Sequence, residues 1–101
     1  MTIRSERSGP NTIVLYLSGR LDTISSPGFE QKVNDLIENS TGMILDLKEL
    51  VYISSSGLHV LLQIQKTMSA LDQKLIIRNC GGSVRDVFDM TGFSTIVTLE
   101  D

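Results

Sequence analysis

Three successive hydroxyls and a glycine, Ser54-Ser55-Ser56-Gly57, stand between an apolar stretch ending at Ile53 and a segment that opens on Leu58-His59. Leu58, Leu61, Leu62 and Met68 then recur at helical spacing, so the hydroxyls fall in or beside the first turn of a helix. A helix start offers unpaired backbone N–H groups and a partial positive charge. Three chemistries suit such a place: a plain N-terminal cap, an anion site, or a hydroxyl that accepts a phosphate. One serine suffices for a cap. Two further hydroxyls exceed that need, and Gly57 early in a helix costs about 1 kcal/mol against alanine. Something must approach the backbone closely at residue 57.

Other residue pairs are poorer candidates for chemistry. Ser55 and His59, four apart, could face each other across one helical turn as nucleophile and base, but no carboxylate is placed to orient the imidazole. The sequence therefore assigns no catalytic residue and leaves His59 facing solvent. Cys80, the single cysteine, precedes Gly81-Gly82 and reads as a small apolar residue near a turn. Arg20 and Asp22 either shape a loop by local hydrogen bonds or form part of a partner surface.

Several function classes drop out. With one His and one Cys, no zinc or other transition-metal site has enough ligands of its own, and no metal or cofactor is implied. The phosphate-cradling patterns G-x-G-x-x-G and G-x-x-x-x-G-K-[ST] are missing, as is the G-x-S-x-G nucleophile elbow. Net charge is −3, and the nine Lys and Arg are scattered, which argues against nucleic acid as a direct partner. No apolar run approaches the roughly 20 residues that cross a bilayer, and the first ten residues lack the apolar core of a secretory signal. Together with the lone cysteine this predicts a soluble cytoplasmic protein without membrane insertion.

The elements that must hold the serines follow from periodicity. The 101 residues, 41% of them hydrophobic, suit one domain spanning 1–101 with one core. Ile3 to Arg7 reads as an edge strand, turned by Gly9-Pro10-Asn11 into an antiparallel partner, Thr12 to Leu17. Gly19-Arg20-Leu21-Asp22 reads as a loop. Ser26 is expected to cap a helix with Pro27 at its first position, burying Phe29, Val33, Leu36 and Ile37; residues 39–42 end it. Strand Met43 to Leu47 follows, then a link through Leu50 to Ile53, and a helix from Ser55 to Ala70. Lys74 to Arg78 is a third apolar strand. Ser83 is expected to cap a short helix burying Val84, Val87 and Phe88 and closed by Gly92. Thr95 to Leu99 is a last strand. This ββαβαβαβ order predicts an α/β domain whose sheet is mixed but mostly parallel, with crossover helices and an antiparallel N-terminal edge.

The order of elements and the string Asp46-Leu47…Ile53-Ser54-Ser55-Ser56-Gly57-Leu58 resemble the STAS domain, specifically the bacterial anti-sigma factor antagonists. Gly19-Arg20-Leu21-Asp22 and Phe88-Asp89-Met90-Thr91-Gly92-Phe93 match two further family motifs, so the resemblance spans nearly the whole chain. It implies a STAS-like fold and a partner switch. The unphosphorylated domain binds an anti-sigma factor that is also a serine kinase, phosphorylation releases that partner, and a phosphatase resets the cycle. Carried over residue by residue, the phosphate acceptor is Ser55, and the partner surface includes Asp22, Ser54, Ser56, Gly57, Leu58 and His59. Two departures stand out: Ser54 replaces the family's aspartate, and Asp101 follows the last strand without the closing helix of many relatives. They suggest an alternative, a STAS module serving as a fixed scaffold, for instance beside a lipid-transport ABC ATPase.

Overall fold

A computed structural model describes residues 1–38 and 40–100; Asn39 and Asp101, which the sequence pattern places at a helix end and beyond the last strand, lie outside the described residues. Its elements run β1 (Thr2–Ser8), β2 (Thr12–Leu21), α1 (Ser26–Ile37), β3 (Gly42–Ile53), α2 (Ser55–Ala70), β4 (Lys74–Arg78), α3 (Gly82–Thr91), a 3-10 turn (Phe93–Thr95) and β5 (Thr98–Glu100). The strands lie side by side in chain order, which periodicity does not give; β1 is antiparallel to β2 and the rest are parallel, as the alternating pattern predicts. Right-handed crossovers between sequential neighbours put the three helices on one face. There Ile13, Leu15, Leu17, Met43, Leu45, Leu47, Leu75 and Ile77 join Phe29, Val33, Leu61, Ile64, Met68 and Phe88 in a single core.

Several boundaries differ from those the sequence predicts. Residues 19–21 are strand rather than loop, and Leu50 to Ile53 is strand rather than link. The two tails pair with each other, Gly19 with Leu50 after one register shift, then Arg20 with Tyr52 and Leu21 with Ile53 after a second. Each shift adds a residue to β3, so inward and outward positions lose their period of two and the pattern stops looking like strand.

Two expected caps also differ. Ser25, not Ser26, precedes α1, with Ser26 as its first residue, because Asp22 organises the turn ahead of it. Gly81, not Ser83, precedes α3; the Ser83 hydroxyl instead donates to the Val51 carbonyl at 3.4 Å. Gly92 closes α3 as expected, at φ +81°. The chain then folds back through the 3-10 turn, where Phe93 meets Phe88 edge-on with ring centroids 4.9 Å apart, and this delays the last strand to Thr98. Leu36 and Val87 are only half-buried. In α2 the buried face is Gly57, Val60, Leu61, Ile64 and Met68, leaving Leu58 and Leu62 partly covered.

On the opposite face of the sheet, Tyr16, Asp46 and Arg78 form a polar layer. Arg78 Nε donates to Asp46 at 3.2 Å and Asn79 Nδ2 to the same carboxylate at 3.1 Å. Burial works against the Arg78 charge, but Asp46 and the Tyr16 hydroxyl more than restore it, so the guanidinium pKa lies above its ordinary value.

Candidate functional site

The candidate site is the first turn of α2, built by the pairing just described. Leu21 and Ile53 end β2 and β3 side by side, and the Ser54 N–H donates to the Leu21 carbonyl at 2.9 Å. Ser54 is extended, and its hydroxyl accepts from the Gly57 N–H at 3.1 Å, a true N-cap. A hydroxyl thus does what a carboxylate would do at the same position. Gly57 is buried beneath the turn. A Cβ there would sit 2.6 Å from the Leu21 carbonyl oxygen and 2.9 Å from its side chain. The close approach that the sequence demanded at residue 57 is therefore made by the domain's own strand end, and Gly57 shapes the site from below.

With Ser54 and Gly57 committed, the next two hydroxyls are divided. Ser56 is half-buried and meets Thr23 Oγ1 at 3.1 Å, joining the approach to α1 with α2. Ser55 is exposed and makes no side-chain hydrogen bond among the described residues. It lines a shallow depression with Thr23, Ser26, Pro27, Ser56, His59 and Val60. Among the described residues no carboxylate lines it. Leu58 is partly buried against the core, and its N–H donates to the Ser54 carbonyl at 2.9 Å.

Asp22 lies in the turn before α1, where its Oδ1 accepts the N–H groups of Ile24 and Ser25, each at 3.1 Å. The Ser25 N–H does most to hold this carboxyl below its ordinary pKa, against a partial desolvation; Ile24, the Ser25 hydroxyl and Arg20 add to it. Arg20 approaches Asp22 at 3.8 Å and stacks over the Tyr52 ring at 4.1 Å. Ile24, 90% exposed, Val51 and Tyr52 give this end of the molecule an apolar rim. None of these three stands out in the sequence. Ile24 follows the family-like loop, but only the β2–β3 pairing shows that residues 51 and 52 lie at the same end of the sheet.

The nucleophile–base reading does not assemble. Ser55 and His59 border the same depression, yet the His59 ring is 3.5 Å from Gln63 Nε2 and has no carboxylate partner among the described residues. Cys80 is buried, and burial pushes its thiol up to about 11, so it stays protonated and unreactive near neutrality. Among the described residues no three His, Cys, Asp or Glu could hold a metal ion together, and no helix is long and apolar enough to cross a membrane.

Residues 5–101 match the STAS domain family. BtrV of Bordetella bronchiseptica, a proposed anti-sigma factor antagonist, is 39% identical over 85 residues, covering 83% of this chain and 73% of that protein. The anti-sigma-B factor antagonist of Bacillus subtilis is 26% identical over 93 residues, covering 92% and 85%. In fold, the chain is similar to the anti-sigma factor antagonist SpoIIAA in its unphosphorylated form, with a TM-score of 0.80, 24% identity, and 99% and 88% of the two chains covered. Bacillus SpoIIAA in its phosphorylated form gives 0.78 at 23% identity, with 97% and 90% covered.

Proposed function

This chain belongs to the STAS domain family, and we propose that it is a cytoplasmic anti-sigma factor antagonist, a binding module with no chemistry of its own. It docks on an anti-sigma factor that is also a serine kinase, is released when Ser55 is phosphorylated, and returns to the cycle through a phosphatase. The observation that carries this reading is the division of the serines: Ser54 and Ser56 are held by the fold, while Ser55 projects into solvent from the same helix start. The contact surface then comprises Ser55, His59, Leu58, Asp22 and the apolar rim of Ile24, Val51 and Tyr52. Ser54 and Ser56 set its shape.

The energetics suit a switch. A phosphate adds about −1.5 to −2 charges near pH 7. At a helix N-terminus it gains about 0.3–1 kcal/mol from the dipole, so folding tolerates it. Across an interface, a carboxylate about 5 Å away is repelled by about 3 kcal/mol per charge at an effective dielectric near 20, which weakens binding by about two decades for each charge. Modification clears the partner and leaves the fold.

Incubation with the cognate kinase and ATP, followed by peptide mapping, tests the assignment. One phosphate per chain on Ser55, lost in Ser55→Ala, is the expected result. Phosphorylation that persists in Ser55→Ala would remove residue 55 from the mechanism. The fixed-scaffold alternative loses one of its motives, since Ser54 performs the capping task itself.

A further inference from the structure

The two edges of the sheet are unequal. β5 offers three residues, whereas β1 offers seven, pairs with β2 at every position without a register shift, and contains no proline. An edge of that length presents a row of free backbone N–H and C=O groups to any strand that can join it. Its sequence, Thr2-Ile3-Arg4-Ser5-Glu6-Arg7-Ser8, carries opposite charges at mirrored positions around Ser5.

We propose that β1 is a self-association edge, at which a second copy of this chain adds its own β1 antiparallel across a two-fold axis at Ser5. In that register Ser5 faces Ser5, Arg4 of each copy faces Glu6 of the other, Ile3 faces Arg7, and Thr2 faces Ser8. The Arg4–Glu6 match occurs twice by symmetry, as an isologous contact requires, and opposite charges directly across a strand pair are favourable. Both side chains are available: Arg4 and Glu6 are 68% and 58% exposed, and their contact within one chain is only a long 3.9 Å approach. Arg4 is also held in place for the role, its guanidinium lying 4.3 Å over the Tyr16 ring. A parallel joining, or one slipped by two residues, breaks the charge match. The edge thus selects its own copy in a single register and forms a ten-stranded sheet. Ser55 opens α2, and none of the residues that line its depression belongs to β1, so each copy keeps its switch free. The pairing does not rest on the phosphorylation reading.

Analytical ultracentrifugation of the full chain from about 10 μM to about 1 mM, the range in which small interfaces associate, tests this. Wild type is expected to pass from monomer to dimer. Arg4→Glu and Glu6→Arg, each facing like with like twice, should raise the dimer dissociation constant at least about tenfold. The doubly exchanged chain, Arg4→Glu with Glu6→Arg, should dimerise again, and an equimolar mixture of the two single variants should form a heterodimer. Glu6→Arg keeps the Arg4–Tyr16 stack, so loss of dimer in that variant, with circular dichroism unchanged, is not a folding failure. A wild type that stays monomeric throughout, a dimer indifferent to both single variants, or an exchanged chain and a mixture that both fail to associate would each overturn the proposal.

Discussion

The first turns of α1 and α2 have nearly the same composition and opposite uses. Ser25-Ser26-Pro27 opens one helix, Ser54-Ser55-Ser56 the other, and the two lie beside each other. At α1 both hydroxyls are consumed: Ser25 donates to the Arg20 carbonyl at 2.8 Å, and Ser26, 3% exposed, donates to the Asp22 carbonyl. At α2 the cap takes one hydroxyl, the link to Thr23 takes another, and Ser55 is left over. A serine is available for modification only when the turn around it has found its hydrogen bonds elsewhere. At α2 the close approach of Gly57 to Leu21 makes that possible by seating the helix directly on the strand end.

Breaking the seat should have the largest effect on stability. Gly57→Ala puts a methyl into the Leu21 carbonyl and is expected to cost about 1–3 kcal/mol, lowering the melting temperature by about 4–8 °C for each kcal/mol; an unchanged melting curve would mean that the start of α2 is loosely held. Ser26→Ala removes a buried hydroxyl and should cost about 1 kcal/mol while leaving phosphorylation of Ser55 intact. Equal damage from Ser55→Ala in a urea titration would erase the contrast between the two helix starts. Ser54→Ala should also cost about 1 kcal/mol through the lost cap, and Ser54→Asp should recover most of it. Failure of the aspartate to recover stability would show that the two capping groups are not equivalent here.

Asp22, which organises the turn ahead of α1, gives the smallest effect and shows it through pH. Its carboxyl titrates below its ordinary value in the folded chain. Its contribution is therefore present above the unfolded pKa, about 3.9, and is lost as pH falls through the lower folded value. Melting temperatures of wild type and Asp22→Asn should differ more at pH 6 than at about pH 3. A gap that widens on acidification would contradict the hydrogen bonds from Ser25 and Ile24.

The alternation of apolar strands and amphipathic helices was legible because buried parallel strands are continuously apolar, as in Ile13-Val14-Leu15 and Leu75-Ile76-Ile77. The β2 and β3 tails were not legible, because two bulges move Lys48, Glu49, Val51 and Tyr52 out of phase. The hydroxyl–glycine cluster was visible as a site. Which serine caps, which bridges and which stays free depends on Thr23 and Leu21, distant in sequence from residue 55. Gly57 showed that a close contact existed, but not that its partner was the Leu21 carbonyl. The exposed residues Ile24, Val51 and Tyr52 had no local signal, since only the paired strand ends place them at one end of the sheet.

Calorimetric titration of the anti-sigma factor with unmodified and Ser55-phosphorylated chain, alongside the melting temperature of each form, tests whether the phosphate clears the partner and spares the fold. A dissociation constant raised at least about a hundredfold, with stability changed by no more than about 1 kcal/mol, is the predicted result. Equal affinities, or a phosphorylated chain that loses binding only because it unfolds, would contradict it.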